Sequence, residues 1–481
     1  MSLWQRLGLG GVVVGVLFLA AWQGMQPPSQ AQPADPVPLK VGFASVDITP
    51  RLEPKKPVYM AGFGHDRQAT GVNDPIMARA VVLQEGPTKI AMISVDLVGF
   101  FYPNVKNVRK LLTDYHYVLV SSTHNHEGPD TLGLWGSSPV RSGVDAAYLK
   151  HVEERIAACV RAAERTVQPA QARFGTVKIP ELLADSRQPY VLHDELVTLQ
   201  FVTPDAQAKP LGILVQWNCH PETLSSKNTL LSADYVGYTV KYLEKKHGCP
   251  VAYFTGTVGG LLSSLGVKIR DEQGKLLANG TVEKTERYGI ALGRAADRAL
   301  AAGQPVALTP LRVKTREIYV PMTNPLYHLG RQLGVLEREA FEWTGDFSAA
   351  RPTTGQTKRD ALCIATEVGY LHLGDVEIAC IPGEIYPEIV LNQVQDPADP
   401  GADFPTAAIE PAIYDQLKGK YRMLIGLAND EIGYILPKRQ WDEKPPYCYG
   451  LKRKQYGEEN SVGPDAGPLI CRAFRELTQG K

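Results

Sequence analysis

The chain has 481 residues, of which 44% are hydrophobic, 21% charged and 8% aromatic. These are ordinary globular proportions, and they exclude a disordered, fibrous or low-complexity chain. Lys and Arg number 51 and so do Asp and Glu, so the net charge is zero and gives no bulk electrostatic case for nucleic-acid binding. The first residues carry Arg6, an apolar run from Leu7 to Trp22, and a polar Pro-rich stretch reaching residue 36. This is the layout of a secretory signal peptide and linker, with Ser29 and Ala31 as small residues for cleavage. The run falls short of the roughly 20 residues of a bilayer span, and an uncleaved anchor is the alternative reading. The expectation is an exported domain over 37–481. Seven cysteines are too few and odd in number for a disulfide framework. Cys219 with Cys249, or Cys363 with Cys380, are pairs that an oxidising compartment would allow.

From Val41 onward short apolar strands alternate with amphipathic helices. Residues 89–98 read as a buried strand, 104–114 as a helix and 117–122 as a strand. Over 145–167, Tyr148, Val152, Ile156, Cys159, Val160 and Ala163 make a helical stripe. Strands come next at 211–218 and 251–255 with a helix near 233–246 between them, then a helix at about 284–302. Beyond Pro305 the pattern is less regular, and 325–360 reads as an insertion or flap. Strands return at 376–381 and 422–427. The prediction is an α/β fold, a large single catalytic domain of mixed β-sheets flanked by helices, with a metal site at strand C-terminal ends.

The loops at the ends of these strands share one chemistry. After 117–122 comes Thr123-His124-Asn125-His126-Glu127-Gly128-Pro129, and after 211–218 comes Cys219-His220-Pro221-Glu222. After 376–381 comes Pro382-Gly383-Glu384, and after 422–427 come Ala428-Asn429-Asp430-Glu431 and, a little later, Tyr434. Histidines and carboxylates at successive strand ends are a metal-site constellation, since zinc takes about four N, O or S ligands. Each piece has an ordinary reading as well: satisfied loop histidines, or a Pro-Gly-Glu turn whose Glu favours a helix start.

At these positions the sequence resembles the neutral or alkaline non-lysosomal ceramidases. VGFASVDITP at Val41, MAGFGHDRQATGVNDPIMARAVVL and SVDL match its opening segments. SSTHNHEGP is similar to its THTHSGP motif, and CHPETLSSKNTLLSADYVGY to its HPT…N…ISxDNxGY segment. ACIPGEIYPEI matches its PGE turn and GLANDEIGYILP its SNxYxxY segment. The resemblance runs in order over most of 41–470. It implies one zinc ion per chain held by His124, His220, Glu384 and Tyr434. It places His126 near the scissile amide, as a proton-transfer group or as a hydrogen-bond partner that orients the site. It makes Arg187, in ADSRQP, a group that polarises the substrate oxygen or binds a polar head, with a surface salt bridge as the alternative, and Tyr456 a pocket-lining residue. Asp96 reads as structural.

The departures matter as much. The family's GDVSPN motif falls on Gly259-Gly260-Leu261-Leu262-Ser263-Ser264, so Leu262 stands in the serine's place and Gly260 in the aspartate's. Gly259, Gly260 and Ser263 become expected substrate-side residues, and a serine nucleophile would need the loop to shift by one position. The expected immunoglobulin-like C-terminal domain of the family has no counterpart before Lys481. The implied activity is hydrolysis of a ceramide-like N-acyl amide by a metal-activated water. The implied partner is a small amphiphilic substrate, with a membrane surface as one place to meet it, and neither nucleic acid nor a protein partner is expected. Hydrolysis of a different amide or ester, or metal binding without catalysis in the envelope, are the rival readings.

Overall fold

The computed structural model describes residues 38–480; the expected signal segment and linker at 1–36 lie outside the described residues. Three sheets organise the chain. The first contains β1 (Lys40–Asp47), β2 (Met77–Glu85), β3 (Thr88–Val95) and, beyond helix α1 (Tyr102–Lys110), β4 (Tyr117–Ser122). Strands β1, β2 and β3 pair antiparallel, but β4 adds to β3 in parallel, with Ile90 opposite Tyr117. A parallel neighbour needs a crossover, and α1 supplies it. Helix α2 (Ala146–Glu164) then covers the outer face, started by Asp145, whose carboxylate accepts from the Ala147 and Tyr148 amides.

The second sheet repeats the plan. Strands β5 (Gln171–Lys178), β6 (Glu195–Val202) and β7 (Pro210–Trp217) pair antiparallel, helix α3 (Asp234–His247) crosses over, and β8 (Val251–Thr255) joins β7 in parallel. Helix α3 stops at Gly248, whose φ of 64° is the left-handed conformation that a helix end favours and glycine tolerates. Helix α4 (Val282–Ala302) packs outside beside α3.

The third sheet is built on a long hairpin, β9 (Leu311–Pro321) against β10 (Leu362–Leu373), followed by β11 (Val376–Cys380) and β13 (Tyr421–Ile425), with β12 (Glu384–Ile385) between them in sequence. Here too the last pair, β11 with β13, is parallel. The irregular reading after Pro305 is corrected by this hairpin. Arg312, Lys314 and Arg316 share a face of β9 with Ile318 and Val320, so charge interrupts the apolar alternation there. The stretch 325–360 is the hairpin's connection, holding helix α5 (Pro325–Gln332) and a small antiparallel pair at 341–343 and 350–352. Strand β14 (Tyr434–Ile435) pairs in parallel with β12, and α6 (Ala466–Gln479) closes the described chain.

The inner faces of the three sheets share one core, with Phe43, Met92 and Leu119 meeting Phe174, Leu199 and Phe254 and also Leu371, Ile378 and Met423. Helices cover the outer faces: α1 and α2 on the first sheet, α3 and α4 on the second, α6 on the third. The parallel edges converge. Asn429 N donates to the Val120 carbonyl at 2.7 Å, Gly426 N to the Thr255 carbonyl at 2.9 Å, and Thr255 Oγ1 to the Thr123 carbonyl at 2.7 Å. All seven cysteines are free and buried, so neither expected pair is formed. Among the described residues no helix is long and apolar enough to cross a membrane.

Candidate metal centre

The C-terminal ends of β4, β7 and β11 deliver His124, His220 and Glu384 to one point. Glu384 Oε2 lies 3.1 Å from His124 Nε2 and 3.0 Å from His220 Nε2. The far side of each ring is held by backbone: His124 Nδ1 donates to the Val98 carbonyl at 2.7 Å and His220 Nδ1 to the Leu262 carbonyl at 2.8 Å. A carbonyl can only accept, so each ring carries a proton at Nδ1 and aims its Nε2 at the carboxylate. Two ring nitrogens and a carboxylate oxygen thus meet in one buried space, and with both rings neutral they are three acceptors that a cation would satisfy. His124 adopts a φ of 65°, a conformation costly for a side chain with a Cβ, and the strain sits at the site itself.

Tyr434, opposite Glu384 in the β12–β14 register, brings its hydroxyl to 3.5 Å from His220 Nε2. Glu431 joins from the loop before it: His124, Glu384 and Glu431 offer ligand atoms within 4.8 Å of one another, as do His124, His126 and His220. Glu431 Oε1 accepts from the Gly433 amide at 2.6 Å, while its Oε2 is buried without a hydrogen bond. Burial, then the charge of Glu384, push Glu431 well above the ordinary carboxyl range. Burial opposes ionisation of Glu384, but His124 and His220 outweigh it and hold the carboxyl below its usual value. Burial first, then Glu384, raise the Tyr434 phenol. These residues can hold a metal: two imidazoles, one or two carboxylates and a phenol.

His126 lies beside the cluster, its ring 4.9 Å from that of His124 and 5.5 Å from that of His220. Neither of its nitrogens has a hydrogen bond, and Nδ1 is 3.6 Å from Glu222 Oε2. Burial, then the neighbouring histidines, drop it well below the histidine range, leaving it neutral. The carbonyl of His126 is held by buried Arg67, which also pairs with Glu127 at 3.2 Å. Gly62, at φ +96°, makes room for the ring.

The other expected residues fall into two groups. Ser263 reaches the site edge, where its hydroxyl donates to Glu222, and the Tyr456 ring stands 5.9 Å from Tyr434, half-exposed at the mouth. Arg187, Gly259 and Gly260 are turned elsewhere. Arg187 is buried in a two-pronged pair with Glu458 at 2.7 and 2.9 Å, and it also donates to the carbonyls of Tyr456 and Gln440. The pair is a salt bridge, but a buried one and not the surface pair expected as the alternative. A Cβ on Gly259 would overlap the Tyr386 ring, so that glycine serves close packing, and Gly260 faces Asp185 and Pro387. Leu262, in the place of the family serine, acts through its carbonyl, which accepts from both the amide and the ring of His220. Asp96 is structural, gripping Arg79 at 2.8 Å. Sequence reasoning missed Glu431 as a candidate ligand, and Arg67 and Gly62 as supports; a carboxylate where the family motif has tyrosine was the signal for the first.

Residues 39–264 match the family model described as neutral/alkaline non-lysosomal ceramidase, N-terminal. No curated protein sequence matches the chain. Among solved structures, neutral ceramidase from Pseudomonas aeruginosa is 17% identical with a TM-score of 0.67, covering 92% of this chain and 74% of that one. A ceramidase complexed with C2 is 16% identical with a TM-score of 0.66, covering 92% and 75%. The chain as a whole therefore carries the fold of the neutral ceramidases, and its residues 39–264 are similar to the family's N-terminal model.

Proposed function

We propose that this chain is a zinc-dependent amidohydrolase that cleaves the N-acyl amide of a ceramide-like lipid after export. The observation that carries this reading is the convergence of two imidazole Nε2 atoms on Glu384 Oε2 at 3.0 and 3.1 Å. His124, His220, Glu384 and Tyr434 would hold the ion, with Glu431 beside them. A zinc ion so held supplies a Lewis acid for the amide carbonyl and lowers the pKa of bound water to about 7. His126, neutral and unpartnered, takes a proton at a ring nitrogen and returns it to the leaving amine. The Glu222 carboxylate beside Nδ1 favours the transient imidazolium. Leu262 stands where the family motif has its serine, which supports attack by water over attack by serine. The export reading is supported by the signal-like layout of residues 1–36.

The test is release of fatty acid from a fluorescent short-chain ceramide, with and without a chelator. Chelator-sensitive release is expected; no release from folded, zinc-loaded protein would overturn the reading. His220→Ala is expected to lose both metal and turnover. A variant with full zinc content and full turnover would remove His220 from the ligand set.

A further inference from the structure

Helix α5 has its amphipathic sense reversed. Leu326, Leu329 and Leu333 recur at the i, i+3, i+7 spacing of one helix face. They are nevertheless 58%, 46% and 45% exposed, while Tyr327 and His328 turn inward. An apolar stripe of this kind on the solvent side marks a surface that is covered by something else.

The helix is tied to the mouth of the metal centre. Its N-cap, Asn324, donates from Nδ2 to the carbonyls of Glu459 at 2.9 Å and Ser461 at 2.8 Å. The Tyr327 hydroxyl donates to the Asn460 carbonyl at 3.2 Å, and the Asn460 side chain donates to the Tyr456 hydroxyl. Helix, mouth and the Tyr434 ring are thus joined through the segment 456–461. The turn leading into that segment reads Leu451-Lys452-Arg453-Lys454. Its first three residues are exposed, and Lys454 folds back to 3.3 Å from Glu459. A further exposed cation, Arg359, donates to the Pro325 carbonyl at the first helical residue, at 3.0 Å, with Asp360 next in sequence.

We propose that the leucine face of α5 and the basic turn 451–454 dock the protein on an anionic lipid bilayer, with the mouth at Tyr456 set against the membrane. The proposal rests on the amide-lipid reading of the site, because a substrate with a long acyl chain resides in a bilayer. The chemistry is complementary on both counts: leucines for the acyl boundary, and Lys452 and Arg453 for anionic headgroups. A second copy of the chain meeting the same face about a twofold axis would bring two basic turns to one interface.

The test places an environment-sensitive fluorophore on Leu329→Cys in the full chain; the seven native thiols are buried and do not compete. A control probe sits on Leu111→Cys, at the opposite end of the first sheet. Vesicles of phosphatidylglycerol and phosphatidylcholine are expected to shift the emission at position 329 to the blue and to leave position 111 unchanged. Adding Lys452→Glu and Arg453→Glu is expected to weaken vesicle affinity at least tenfold. No shift at 329 overturns the proposal. So does an equal shift with phosphatidylcholine alone, or a concentration-dependent shift without vesicles, which would assign the face to a second copy. Hydrolysis of a soluble short-chain ceramide, measured in parallel, judges the amidase reading separately. The Leu326→Asp, Leu333→Asp variant is expected to keep that soluble turnover while losing at least tenfold on vesicle-borne substrate.

Discussion

His126 stands where it does because residue 62 has no side chain. A Cβ there would collide with the imidazole of His126, so Gly62→Ala must displace the ring while leaving His124, His220 and Glu384 in place. The expected result is a kcat lowered roughly 10–100-fold, the scale of a misplaced reacting group, with metal content near wild type. Loss of the metal as well would mean that His126 is a ligand. Ser263→Ala is expected to keep most activity, because the hydroxyl serves Glu222; a fall of several orders of magnitude would restore a nucleophile. His124, His220 and Glu384 were legible in the sequence because each lies directly beyond its strand. Gly62, Arg67 and Glu431 were not. Gly62 and Arg67 act on the loop after β4 from far away in the chain, and nothing in their local sequence announces that contact. Glu431 lies in a loop that a family pattern fills with tyrosine.

At the level of elements, the segment carrying Tyr456 is anchored by a buried ion pair. Removing one partner of such a pair leaves the other charge stranded, at roughly 3–5 kcal/mol. Arg187→Ala is therefore expected to lower Tm sharply, read by calorimetry; an unchanged Tm with lost turnover would return Arg187 to substrate binding. Close by, in the short helix Pro387–Leu391, burial lifts the Glu388 carboxyl to about 8, with Asp185 adding to the rise and Arg187 opposing it. The folded value lies above the unfolded one, so the unfolded chain releases this proton first. Stability from this group is complete below about pH 4.5 and is lost as pH rises toward 8. Glu388→Gln should flatten the decline in stability over that window in denaturant melts; an unaltered pH profile would refute the assignment. The first two parallel strand pairs were readable as apolar runs with a helix between. The hairpin β9–β10 was not, since its mixed charged face and its long connection break the alternation that signals a strand.

At the level of the molecule, the three sheets are held together partly at the strand ends that carry the site, through Asn429 with Val120 and Gly426 with Thr255. A cation bound there stabilises the folded chain alone, by about 2.7 kcal/mol when its concentration is a hundred times Kd. Chelation should thus lower Tm of the whole domain in one cooperative step; a biphasic melt, with one sheet unaffected, would contradict this. The arrangement also bears on how the protein is made. As the polypeptide emerges, His124 and His220 come within the first 264 residues, whereas Glu384 and Tyr434 are translated far later. If these four residues hold the ion, a nascent chain lacking Glu384 and Tyr434 would have only half of its ligands. An exported chain so built would acquire its metal where it finishes folding rather than where it is synthesised.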